Sequence, residues 1–270
     1  MRGPLLALLS PVCLLAMSGC GGSAPASQPS TPTEPASVPA ASTETPAPAP
    51  ADNSGGPAPV EFNANKLLMG TAKPSFPAGE PGKVSVVAQG KLSKGILPFA
   101  FRNNTNEAIS HVDWTAAASA GGSIVTTGTS QGTDPAQLQP GEVGLAYIYF
   151  SSDAKMPPAN ATYEFSAETT PADKSSYNTA SLQVTQANLS GGSIVGSAVN
   201  NAGAIVAGPY SATAYCFKGN DLLSTVKSYA DQSKNVSPNG KVTFKIDLLG
   251  RSCPAFVVGV SGYFDDPDQG

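Results

Sequence analysis

The chain has 270 residues, a formal net charge of −4 and only 13% charged residues, while Gly (28) and Pro (25) together make about a fifth of it. Every aromatic residue lies at or beyond Phe62, so the first sixty or so residues cannot build an aromatic-containing core, and the remainder is long enough for one large or two ordinary domains. A single histidine, His111, excludes multi-histidine metal sites, and 15 Lys plus Arg without a dense run leave no electrostatic footprint for nucleic acid.

Arg2 and the apolar stretch over residues 5–17 have the charge and length of a secretory signal, too short to span a membrane and remain there. Small residues then precede a cysteine in Leu15-Ala16-Met17-Ser18-Gly19-Cys20-Gly21. This resembles the bacterial lipobox, with Met17 where Leu is usual. The resemblance implies a signal peptide over 1–19, acylation of Cys20 as the mature N-terminus, and a membrane anchor. Gly21 in place of Asp implies the outer membrane in a Gram-negative host. The alternative is an ordinary signal peptide cleaved nearby, with Cys20 incidental. Residues 21–59 hold ten Pro and no aromatic, too little apolar surface to offset chain entropy, so 20–59 is expected to be a disordered tether. Its reach is about 35 Å as a coil and about 120 Å as polyproline II.

An internal repeat organises the rest. Residues 87–104 align with 184–201 at an offset of 97, with seven identities over 18 ungapped positions, among them Asn103-Asn104 against Asn200-Asn201. With one residue inserted, Leu138-Gln139-Pro140-Gly141 matches Val236-Ser237-Pro238-Asn239. Such a period is a domain duplication, too long for a solenoid unit. The run from Thr170 to Ser176 reads as the connection, so 60–171 and 172–266 are the expected units.

Within each repeat the hydrophobic period is two, the signature of half-buried strands. Lys241-Val242-Thr243-Phe244-Lys245-Ile246-Asp247-Leu248 is the clearest case, and similar patterns occur over 84–88, 97–101, 111–115, 144–150, 163–167, 182–186, 194–199, 210–217 and 256–264. Short strands separated by Asn-Asn, Pro-Gly and Gly-Gly turns argue an all-β chain with a β-sandwich for each repeat.

The segments Ser193-Ile194-Val195-Gly196-Ser197-Ala198-Val199-Asn200-Asn201 and Tyr210-Ser211-Ala212-Thr213-Ala214-Tyr215-Cys216-Phe217, then Gly219, Leu222, Leu223 and Pro238-Asn239-Gly240, resemble the small extracytoplasmic FxLYD-type domain. That family reads as G-x-V-x-N, an aromatic strand, a turn, and Pro-Gly before the next strand. Here Cys216-Phe217 stands where the family closes its aromatic strand with Asp. The first repeat matches through 97–104, 112–115 and Pro140-Gly141. The resemblance implies two tandem immunoglobulin-like sandwiches without enzymatic activity.

Cys13 leaves with the signal peptide, so Cys216 and Cys253 remain as a pair in an exported chain. A structural disulfide is one reading; a redox or metal-binding thiol pair, lacking C-x-x-C spacing and a nearby His, is the other. Ser110, His111 and Asp113 form the lone Ser/His/Asp grouping, but Ser110 alternates to the other face and there is no nucleophile elbow. Asp265-Asp266-Pro267-Asp268 offers oxygen ligands for a cation, yet a solubilising acidic end accounts for it as well. Phe99, Phe101, Tyr147, Tyr149 and Phe150 are expected in the core, or alternatively on a ligand surface, and Trp114 as its anchor. No catalytic residue, cofactor or metal is expected. The expectation is a noncatalytic, lipid-anchored envelope protein presenting two modules to another envelope protein or a polysaccharide. The alternative is a small-ligand or glycan binder, which a concave pocket at the seam between the repeats would favour.

Overall fold

The computed structural model describes residues 55–151, 155–175 and 178–265, so the expected signal segment, Cys20 and most of the expected tether lie outside the described residues. The fold is all-β. One seven-stranded antiparallel sheet comprises β2 (Val84–Gln89), β3 (Ile96–Asn103), β4 (Ile109–Ala120), β5 (Ser123–Asp134), β6 (Gln137–Leu138), β7 (Val143–Tyr149) and β8 (Thr162–Pro171). A second comprises β9 (Thr179–Ser190), β10 (Ser193–Val199), β11 (Val206–Lys218), β12 (Asp221–Tyr229), β13 (Lys241–Asp247) and β14 (Ala255–Phe264), with β1 (Met69–Gly70) added to β14. Each sheet folds over on itself through one strand that changes partners. In the first, β5 pairs with β4 up to Thr129 and with β7 from there on. In the second, β9 leaves β14 after Leu182 and pairs with β10.

The 97-residue offset carries β2, β3, β4 and β5 onto β9, β10, β11 and β12, and with one inserted residue β7 onto β13. Pairing recurs with it: β2 with β3, β3 with β7, β4 with β5 and β4 with β8 become β9 with β10, β10 with β13, β11 with β12 and β11 with β14. The aligned asparagines show why they recur. Asn103 and Asn200 are fully buried. Asn103 Nδ2 donates to the carbonyls of Glu107 (2.8 Å) and Leu138 (3.2 Å), and Asn200 Nδ2 to those of Ala204 and Val236 (both 2.8 Å). Each Oδ1 accepts the backbone N–H two residues on. One side chain thereby satisfies the loop leaving a strand and the segment returning to it, groups that would be costly to bury unpaired. The matched Gly141 and Asn239 both adopt positive φ (83° and 66°), which the turn requires and which these two residue types tolerate.

The expected strands are all present and most are longer than expected, while β7 and β13 each stop one residue short of the expected end, at Tyr149 and Asp247. β5 and β12, which occupy equivalent places, have no counterpart among the expected ones, because neither alternates: β5 is Thr-, Ser- and Gly-rich and mostly exposed. Trp114 is buried against the rings of Phe99, Phe101 and Phe165, with centroids 5.2 to 6.2 Å away, as a core anchor should be. Phe99, Phe101 and Phe150 are fully buried with it, while Tyr149 is exposed.

Three apolar cores result. One lies wholly in the first repeat and one wholly in the second. The third is shared: Leu68, Ala100, Val143 and Leu145 pack against Tyr215, Phe217, Leu222 and Val257, so the described residues form one compact unit. Residues 55–80, outside the duplication, run as a strap across this seam. On the first repeat the Val60 N–H donates to the Gly141 carbonyl, and Asn104 Nδ2 donates to the carbonyls of Ala78 and Glu80. On the second, β1 pairs with β14, the Val184 N–H donates to the Leu67 carbonyl, and the Ser75 N–H to Asn220 Oδ1. At Gly70 a Cβ would stand 1.9 Å from the Phe256 carbonyl oxygen, so only glycine admits this approach.

Candidate functional site

The seam changes character along its length because the second repeat's inward face does. On β11 that face runs Phe217, Tyr215, Thr213, Ser211; on β12, Leu222, Thr225, Lys227, Tyr229; on β14, Val257, Gly259, Ser261, Tyr263. The apolar end is closed by the shared core and the strap. At the polar end lies a cleft of about 310 Å³, lined from the first repeat by Asp113, Gln131 and Thr133 and from the second by Ser211, Lys227, Tyr229, Ser261 and Tyr263. Tyr229 is 60% and Tyr263 41% exposed, large aromatic surfaces left open to water beside a row of hydroxyls. Ser211 Oγ and Ser261 Oγ lie 2.9 Å apart. Lys227 Nζ donates to the Gln131 carbonyl (3.0 Å) and sits 5.6 Å from the Tyr229 ring centroid, which ties the two repeats together and orients one aromatic wall.

Beneath the cleft a narrow extension leads to Asp134, the last residue of β5, 5% exposed. The Tyr215 hydroxyl is 3.0 Å from Asp134 Oδ2 and 3.1 Å from the Leu145 carbonyl oxygen. Burial raises the Asp134 carboxyl to about 6, opposed by hydrogen bonds from Tyr215 and Thr213 and by the nearby Lys227 ammonium. Tyr147 is pushed up to about 12 and Tyr215 well above its ordinary range, first by burial and then by the Asp134 charge. Glycine is required at 259, where a Cβ would meet Asp134 Oδ1 at 2.5 Å.

Cys216 and Cys253 are joined, linking β11 to the loop before β14, so the pair is a disulfide. Ser110 is fully buried, with Oγ 3.5 Å from the Ala136 carbonyl oxygen, and is closed off from any ligand. Asp113 lines the cleft; the side chain of His111, Cys20 and Asp266 to Asp268 lie outside the described residues. Among the described residues no group of three His, Cys, Asp or Glu side chains could hold a metal ion, and no helix is long and apolar enough to cross a membrane. Sequence reasoning missed Asp134, Gln131, Lys227 and Tyr229 because they stand on β5 and β12, the two strands without alternation. The signal available was Tyr229 itself, a solitary aromatic at a strand end beside Lys227. No protein-family model matches the chain, and comparison with curated proteins gives no match.

Proposed function

We propose that this chain is a noncatalytic, lipid-anchored protein of the bacterial cell envelope, in which Cys20 carries the anchor, the Pro-rich segment holds the fold away from the membrane, and two immunoglobulin-like repeats frame a cleft for a hydroxyl-rich ligand, a glycan segment. In a Gram-negative host the outer membrane is its place. The observation that carries the ligand class is the pairing of exposed Tyr229 and Tyr263 with the Ser211 and Ser261 hydroxyls in one concave site. Aromatic faces cover the C–H faces of a sugar ring, and hydroxyl, amide and ammonium groups meet its oxygens. Asp134, at the end of an extension of only about 20 Å³ that no sugar ring can enter, supports a binding role over an acid–base one, since a general acid has to reach its substrate.

Two measurements test this. Cys20→Ala is expected to move the protein from the membrane to the soluble fraction, because a bacterial lipoprotein's several acyl chains are what hold it. A mature variant still bound to membrane would overturn the anchor. Retention of the host's own envelope oligosaccharides on the immobilised protein is expected to fall at least ~10-fold in Tyr229→Ala/Tyr263→Ala, with little change in melting because both rings are exposed. Unaltered retention would remove the cleft as the site.

A further inference from the structure

A second concavity, of about 800 Å³, lies between the strap and the second repeat, on the opposite reach of β14 from the cleft. Phe62, Leu68, Met69, Val184 and Val257 give it an apolar floor. Its charged lining is lopsided: three cations, Lys66, Lys73 and Arg102, and a single carboxylate, Glu61. None of the three cations has an ion pair among the described residues.

Arg102 is the unusual group. It is 3% exposed, and its alignment partner in the second repeat is Val199, so the charge is peculiar to the repeat that carries the strap. Nη1 donates to the carbonyls of Gly141 (2.6 Å) and Val60 (2.9 Å), Nε to that of Pro77 (3.2 Å) and Nη2 to that of Phe76 (3.3 Å). Those four bonds satisfy most of a guanidinium's five donors, leaving one N–H without an acceptor among the described residues and the positive charge without a counter-ion. Burial lowers its pKa, the mark of a cation held where charge is poorly solvated. A buried cation over an apolar floor, with two flexible ammonium groups at the rim, is complementary to a ligand that is apolar along its length and anionic at one end.

We propose that the groove under the strap binds one long-chain carboxylate, its acyl tail on Phe62, Leu68, Met69, Val184 and Val257 and its carboxylate beside Lys66, Lys73 and Arg102. The volume is in the range of sites that enclose ligands of this size. The site is independent of the seam cleft, and failure of one leaves the other standing.

The test is calorimetric titration of the full mature chain carrying Cys20→Ala, in detergent-free buffer, with dodecanoate below its micellar concentration. One dodecanoate per chain is expected, with dodecanol at least ~10-fold weaker and millimolar inorganic phosphate unable to displace the acid. Lys66→Glu/Lys73→Glu and, separately, Met69→Glu change exposed residues and are each expected to weaken dodecanoate at least ~10-fold without altering the melt. Tyr229→Ala/Tyr263→Ala is expected to bind it unchanged. Absence of saturable binding, equal affinity for dodecanol, full displacement by phosphate, or indifference to both groove variants would each overturn the proposal.

Discussion

Replacing Cys216 and Cys253 together by Ala is expected to lower the melting temperature of the folded unit by roughly 6 to 16 °C. The bond closes a loop of 37 residues, and the loop-closure entropy it removes from the unfolded chain is worth about 3 to 4 kcal/mol. In a unit of this length each kcal/mol displaces the transition by about 2 to 4 °C. The effect should not stay within the second repeat. Cys216 belongs to that repeat's own core, but its neighbours Tyr215 and Phe217 point the other way, into the core shared with Ala100, Val143 and Leu145. Loosening β11 therefore loosens the seam, and a single transition is expected to move as a whole in calorimetry. The native protein should resist thiol labelling until reduced. An unchanged melt, or two thiols that label freely in the native protein, would return the pair to a redox or metal-binding role.

How much of the fold is legible in the sequence depends on where each signal resides. Lys241 to Asp247 declares itself a strand because one face is buried and the other is wet, and burial alternates along it residue by residue. The aligned Asn103 and Asn200 are visible as identities; that each bridges two loops is not, since a hydrogen-bond network has no periodicity. β5 and β12 escape for a related reason. They border the seam, so one end of each is buried on a face that the other end exposes, and alternation cancels. The cleft is built on these two strands and is lost with them. The strap escapes differently: residues 60–80 have no second copy to align with, and what fixes them is one buried arginine on β3 and a two-residue strand on β14, partners far away in sequence. Arg102 in the middle of an apolar strand, Leu97-Pro98-Phe99-Ala100-Phe101-Arg102, is the trace it leaves.

Asp134 leads to the other large effect: the fold is expected to lose stability as pH rises from about 4 to about 6, the reverse of the usual carboxylate behaviour. An Asp that gains a salt bridge has a depressed pKa and stabilises the native state above its unfolded pKa. Asp134 has the opposite shift, from 3.8 to about 6, because burial at the seam penalises its charge more than Tyr215, Thr213 and Lys227 relieve it. Between those two values the native chain holds a proton that the unfolded chain has released, so stability falls with increasing pH; above about 6 both states are ionised and the dependence ends. Two pK units correspond to about 3 kcal/mol at full effect. Chemical denaturation at pH 4.5 and 7.5 measures it directly. Asp134→Asn, which keeps an acceptor for the Tyr215 hydroxyl and carries no charge, is expected to abolish most of that slope and to be more stable than the parent at pH 7.5 by about 2 to 3 kcal/mol, while the two converge near pH 4. The depressed pKa values of Asp173 and Asp247, whose leading causes are hydrogen bonds from Ser175 and Ser193, act below 3.8 and leave this window clear. A parent protein whose stability is flat or rises between pH 4.5 and 7.5, or an Asn variant with the parent's slope, would mean that Asp134 is solvated and that the seam is open down to its floor.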